Sequence, residues 1–408
     1  MGAGEKQALL VSLAEKRVFK SGGSMKRAGF VVGTALVAAF YLIFLAIMFD
    51  LTIRYLPPWQ RSDQWLLHTD FARMWYVGRS VLATLRLAPI PAPLPEGDIL
   101  APAAPHAGPW LYPPPTGLVA MMFAWPKPSW AFWGWRIWCV LFGYWLMRRA
   151  GLPRLAVTLG LASPAGLLDM SGGQIGTLTG SLLVAALMLA ERRPKIAVIC
   201  AGILAIQPQI ALAIPIAWAR RRLGTAYLAA MVTVLVMLAA SLLLEGESAW
   251  LRYFNVGLPA AWAVSKASFS DVLPAQGFTL SYLFRTLGVS IAFASIGQDI
   301  GSVLALSFVW FAWKDKRMAP LPRMVLTVCL SLLATPYGFA YSLVGYSVAM
   351  MVLATSLSGF PAFWAALLWL MSGYTIMLYN WTGLVLFPLF AAAGAALAWT
   401  FRLEPALQ

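Results

Sequence analysis

Side chains that bind metals or carry redox chemistry are nearly missing from this chain. Histidine occurs twice (His68, His106) and cysteine three times (Cys139, Cys200, Cys329) in 408 residues. The cysteines lie inside apolar runs at no spacing that makes a ligand set, and no H-x-x-x-H or D-x-D sequence occurs, so neither a metal nor another cofactor is expected. Charge is scarce too: 11% of the residues are charged and 61% are hydrophobic, which excludes a water-soluble globular enzyme. A cleaved signal peptide is not expected, because a largely polar stretch of about 28 residues precedes the first full-length apolar run.

What the chain does have is long apolar runs. Those at 29–49, 225–244 and 288–313 are each long enough to cross about 30 Å of hydrocarbon at about 1.5 Å per residue. Helices follow rather than a barrel, since each run satisfies its own backbone. The expected fold is an all-α polytopic membrane protein with about ten full transmembrane helices, short re-entrant or half-helices, and further helices in loops on the outer face.

The net charge of +15 comes from 30 Lys and Arg against 15 Asp and Glu. The basic residues fall in short clusters between apolar runs, which is a topology signal and not a nucleic-acid surface. Lys16, Arg17, Lys20, Lys26 and Arg27 precede the first run; Arg148 with Arg149, Arg192 with Arg193, Arg220 to Arg222, and Lys314 to Arg317 mark further inside loops. Both termini are expected in the cytoplasm. The domain reading is a basic cytoplasmic segment at 1–28, one transmembrane domain at 29–401, and a cytoplasmic tail at 402–408. Leu9, Leu10, Leu13 and Val18 fit an interfacial helix on anionic membrane lipids, with disorder as the alternative.

Two outer loops, 50–115 and 245–287, are too long for connectors, and long loops are usually functional. The apolar run 116–125 is too short to cross and is expected as a half-helix. The segment between Lys195 and Arg220 is interrupted by Gln207-Pro208-Gln209, with basic clusters at both ends. Two readings stand there: a pair of short helices whose Gln-Pro-Gln apex lines a cavity deep in the membrane, or a single span that violates the charge rule.

In order along the chain stand Asp70-Phe71 followed by Trp75-Tyr76, the Tyr112-Pro113-Pro114 turn, the Gly173-Gln174 turn, the broken Gln207-Pro208-Gln209 helix and Pro336-Tyr337 with Tyr341. This ordered set resembles glycosyltransferase family 87, membrane enzymes of the GT-C fold whose best-known members are polyprenyl-phosphate-mannose-dependent mannosyltransferases of bacterial cell envelopes. The resemblance implies an inverting hexosyltransferase of the bacterial inner membrane. It would move a sugar, most simply mannose, from a polyprenyl-phosphate donor to a lipid- or glycan-linked hydroxyl at the outer face. Two positions depart from the family's pattern: Gln207 stands where Lys-Pro is frequent, and Ser342 where an acid is common.

Sugar transfer to an alcohol needs a group to take the hydroxyl proton, and the resemblance puts Asp70 in that role. The residue-level alternative is a helix cap or an ion pair with Arg73 or Arg61; Asp50 and Asp63 are weaker candidates for the base. For substrate contacts the candidates are His68, Arg73, Tyr112, Gln174, Gln207, Gln209, Lys266, Arg285, Tyr337 and Tyr341. For Arg73 and Arg79 the alternative is contact with lipid head groups, for Lys266 and Arg285 a solvated loop, and for Gln174 and Gln209 the backbone at helix breaks. A lipid-linked-sugar transporter or flippase is the competing function class.

Overall fold

A computed structural model describes residues 33, 35–47, 70–87, 110–221, 223–267, 269 and 276–403. Among them the chain is helical, with an isolated antiparallel bridge between Gly277 and Phe339. The first elements are α1 (Ala35–Ile47), α2 (Asp70–Thr84), α3 (Pro115–Ala120) and α4 (Pro128–Arg149). Next come α5 (Arg154–Leu161), α6 (Pro164–Gly172), α7 (Gly176–Leu189), α8 (Pro194–Ile203) and α9 (Ala213–Arg220). Then follow α10 (Gly224–Glu245), α11 (Glu247–Arg252), α12 (Leu258–Lys266), α13 (Leu280–Thr286) and α14 (Ile291–Lys314). The last are α15 (Pro320–Ala334), α16 (Val344–Ser356), α17 (Gly359–Met371), α18 (Thr375–Thr382) and α19 (Phe387–Thr400).

Helix starts follow local chemistry. Proline opens α4, α6, α8 and α15, where its missing N–H is no loss. Ser163 caps α6 by accepting the Gly166 N–H at 3.1 Å.

Every residue of α7 is buried, which marks an apolar helix surrounded by others. Its Gly180 meets Gly345 of α16 so closely that a Cβ at 180 would stand 2.5 Å from the Gly345 nitrogen; small residues permit such backbone approach in membrane bundles. At the periphery, α10 exposes Leu228, Val232, Leu235 and Leu243, and α14 exposes Phe293, Ile300, Val303 and Leu304. Apolar surface on that scale belongs against lipid.

Two described helices are long and apolar enough to cross a membrane, α10 and α14, and the number rises to four if each of two bent pairs is one span. The remaining apolar helices run 10–17 residues. The bent pairs are α5 with α6, at 51°, and α17 with α18, at 87°. The latter divides the apolar stretch from Gly359 to Thr382 into two helices. Ser372 and Gly373 interrupt the helix, as Gly/Ser pairs do at kinks; a Cβ at 373 would stand 2.2 Å from the Pro164 Cβ.

The structure also decides between the two readings of the Gln-Pro-Gln segment. Glu191, just before α8, forms salt bridges of 3.1 Å with Arg221, just after α9, and with Arg323 of α15. The segment therefore leaves and returns on one face of the bundle, as a pair of short helices with Gln207 at the turn. The half-helix reading of 116–125 corresponds to α3 and the 3-10 turn Met121–Phe123. Readings that fall on 1–32, on 48–69, including Asp50 and Asp63, or on 88–109 lie outside the described residues.

Candidate active site

Asp70 is the first residue of α2, where a carboxylate also meets the positive end of the helix dipole. The helix is pinned to the chain at 120–126. Trp75 Nε1 donates to the Pro126 carbonyl at 3.0 Å, and Arg79 Nη1 donates to the carbonyls of Ala124 and Trp125 at 3.2 Å. Gly78 lies where a Cβ would stand 2.5 Å from the Ala120 carbonyl carbon. Arg79 is thus a structural donor in this arrangement. Asp70 keeps the ion pair foreseen from its spacing, with Arg73 Nη1 at 3.0 Å from Oδ1.

Its second oxygen is reached from far away in sequence. α6 ends at Gly173 in the left-handed conformation, φ 61°, which favours glycine. The turn that follows is held by Asp169, buried to 2% exposure. The Asp169 carboxylate accepts the Gly176 N–H at 2.6 Å, the Thr177 N–H at 2.9 Å and the Thr177 hydroxyl at 2.6 Å. Gln174 then projects so that its Nε2 donates to Asp70 Oδ2. Tyr112 donates to Gln174 Oε1 at 3.2 Å and lies 3.3 Å from the Tyr341 hydroxyl. Burial first, and the nearby Asp70 charge second, push the Tyr112 phenol well above its usual range, so it stays protonated and able to donate. Asp169 was missed from the sequence; the available signal was an acid inside the apolar run before Gly173-Gln174, which a membrane protein retains at a cost and so for a reason.

The broken helix makes the next wall. Gln207 sits at φ −146°, ψ 69° and Pro208 starts a fresh 3-10 turn. Such a break in lipid must satisfy its freed carbonyls, and hydroxyls from neighbouring elements do so. Thr116 donates to the Ile206 carbonyl at 3.4 Å, Thr335 to that of Gln209 at 3.1 Å, and Ser331 to that of Ile210 at 2.6 Å. The Gln207 amide accepts from Thr179 Oγ1 at 2.8 Å and donates to Ser342 Oγ at 3.1 Å. The two departures from the family pattern therefore touch: a neutral amide and a hydroxyl meet here, both buried.

These parts enclose a cavity of about 760 Å³. Asp70, Arg73, Tyr112, Gln174, Gln207, Gln209, Tyr337 and Tyr341 are among its lining residues. Arg73 is the cation among the described lining residues, and its Nε is buried without a partner in the chain. The Tyr337 hydroxyl is likewise buried and unpaired. Lys266 and Arg285 do not line the cavity. Lys266 is exposed. Arg285 donates to the carbonyls of Ser265 at 2.7 Å and Lys266 at 3.3 Å, and to that of Ala267, closing the C-terminal end of α12, with Phe269 stacked 4.8 Å from its guanidinium. His68 lies outside the described residues, as does His106.

The cavity thus holds a carboxylate among aromatic rings and amides. The sequence profile of Glycosyltransferase family 87 matches residues 110–336, more than half of the chain. The chain belongs to glycosyltransferase family 87. No curated protein and no solved structure matches it. The matched stretch of this glycosyltransferase carries Tyr112, Gln174, Gln207 and Gln209, while Asp70, Tyr337 and Tyr341 lie outside it and join the same cavity through the fold.

Proposed function

We propose that this glycosyltransferase is a GT-C-type enzyme that takes mannose from a polyprenyl phosphate and passes it, with inversion, to a lipid- or glycan-linked hydroxyl. The observation that carries the reading is the placement of Asp70 on the wall of the large cavity. A carboxylate offers about four lone-pair positions; Arg73 and Gln174 take one on each oxygen, which leaves positions for an incoming hydroxyl. In the proposed step the acceptor oxygen bonds to the anomeric carbon as the carbon–oxygen bond to phosphate breaks. Asp70 receives the hydroxyl proton, and the polyprenyl phosphate leaves as an anion. Arg73, with its unpaired Nε, is the group we assign to hold that phosphate. The unpaired Tyr337 hydroxyl and the Gln209 amide are assigned to the sugar.

The proposed orientation is supported by α7. Gln174 stands at one end of it and Glu191, with the basic cluster, at the other; the helix between them is about 20 Å long. The positive-inside rule assigns that basic end to the cytoplasm, which supports our reading that the cavity opens at the outer face of a bacterial inner membrane. The test is to supply the purified protein, in detergent, with labelled polyprenyl-phosphate-mannose and a lipid extract of envelope membranes, then follow label by thin-layer chromatography and mass spectrometry. Mannose is expected in a new lipid or glycan as donor is consumed. Redistribution of label between vesicle leaflets with no product would instead identify a flippase.

A further inference from the structure

A second cavity, of about 380 Å³, lies behind the wall of the first. Trp110, Tyr112 and Tyr253 line both. α2 passes along the pair: Asp70 and Arg73 face the first cavity, while Ser80 and Thr84 face the second. Ser80 is ten residues beyond Asp70, or about 15 Å along the helix, so the Ser80 end of the second cavity is remote from the reacting atoms, while Tyr112 joins the two cavities.

Its chemistry is specific. Glu245, the last residue of α10, lines it, and the buried Oε1 has no hydrogen-bond partner in the chain. A buried carboxylate oxygen without a donor is costly unless a ligand supplies one. The carboxylate packs directly against Gly117, where a Cβ would stand 2.5 Å from Oε1, so that position is kept clear for it. Ser80 Oγ and Thr84 Oγ1 give their protons to the Tyr76 and Ser80 carbonyls, leaving lone pairs to accept. The Tyr253–Gly257 segment is a π-helix, a rare form that is frequent at functional sites. It carries Tyr253 into both cavities, and a Cβ at its Gly257 would stand 2.6 Å from the Trp110 carbonyl oxygen.

Glu245, Ser80 and Thr84 stand there with Ser248 and the Arg252 guanidinium beside aromatic rings, a mixed lining of donors and acceptors that suits neutral hydroxyls, which both donate and accept. We infer that the second cavity is a remote subsite for a neutral oligosaccharide stretch of the acceptor, with Glu245 accepting from its hydroxyls. This rests on the glycosyl-transfer reading above. Its use is positional: remote contacts hold the acceptor so that its free hydroxyl reaches Asp70.

The test is direct binding, in nanodiscs that contain no sugar detergent, of a panel of neutral tri- and tetrasaccharides built from mannose, glucose or galactose. Titrations are run on the parent and on Asp70→Asn, Glu245→Gln and Ser80→Trp. At least one saccharide is expected to bind the parent and Asp70→Asn alike, and to weaken about ten-fold or more in both Glu245→Gln and Ser80→Trp. Glu245→Gln keeps the size of the side chain, so its result stands even if Ser80→Trp folds poorly. Absence of binding by every member, or equal affinity in parent and Glu245→Gln, overturns the subsite. Transfer without such binding removes only this inference, whereas binding without transfer removes the proposed reaction.

Discussion

The Gln174 side-chain amide donates to Asp70 Oδ2 across 104 positions of sequence. With Arg73 on Oδ1, the contact fixes the direction in which the carboxylate points. Replacing Gln174 with Leu removes the donor and leaves the Tyr112 hydroxyl one partner fewer. The expected result is a fall in kcat of about ten- to a hundred-fold with donor KM little changed, because small misplacements at a reacting group cost rate more than binding. A Leu variant that loses affinity and keeps kcat would show that Gln174 holds the donor and does not aim the carboxylate.

Asp70→Asn probes the proton step itself. Its new amide would face the Gln174 amide, donor to donor, unless Gln174 turns over; Tyr112 can follow by donating toward Tyr341 instead. The fold is therefore expected to survive, since the Asp70 side chain is 40% exposed and pairs of that kind are worth about 0–1 kcal/mol. Transfer is expected to drop by about two to four orders of magnitude. Turnover and thermal midpoint measured on one sample separate the readings: near-parental turnover would reduce Asp70 to a helix-end residue.

Gln207 and Ser342 are predicted to behave as one unit. Gln207→Lys alone buries a cation beside a hydroxyl, and a buried charge without its counter-ion costs about 3–5 kcal/mol. Gln207→Lys with Ser342→Asp restores a counter-charge at the 3.1 Å contact and is expected to recover part of that loss. Denaturation midpoints of the parent, both single variants and the double variant decide it; additive losses would mean that the two positions do not interact.

Two glycines form a matched pair. At Gly176 a Cβ would stand 1.9 Å from the Tyr341 carbonyl oxygen, so Gly176→Ala is expected to displace the turn held by Asp169, lowering both stability and transfer. At Gly134, an exposed position within α4, nothing lies within 4 Å of a Cβ, and Gly134→Ala is expected to stabilise the protein by up to about 1 kcal/mol. Melting curves of the two variants test the pair, and equal shifts would contradict the geometry.

The proposed orientation predicts labelling. The three native thiols are buried, so single cysteines placed at exposed positions report alone. Cysteines replacing Lys266 and Ser290 are expected to react in intact cells with a membrane-impermeant maleimide, while those replacing Lys195 and Lys316 react only after lysis. The reverse pattern would put the Asp70 cavity on the cytoplasmic side.

Much of this protein was legible in its sequence because lipid leaves few choices. Long apolar runs must be helices, basic clusters must stay together on one side, and Gln207-Pro208 must break a helix, so the helical membrane class, the short α3 and the interrupted α8–α9 segment follow from composition and local rules. Asp70 and its Arg73 partner, three residues apart, were legible for the same reason: their contact is local. The tertiary structure decided the rest. That 194–220 returns to its own face depends on Glu191 meeting Arg221 and Arg323. That Gln174, Tyr112 and Tyr341 converge on Asp70, while Arg285 turns away to cap α12, depends on which helix ends lie together. Periodicity and charge state what each segment buries, but they carry no information on which distant segment buries it, and both cavities exist only between such distant segments.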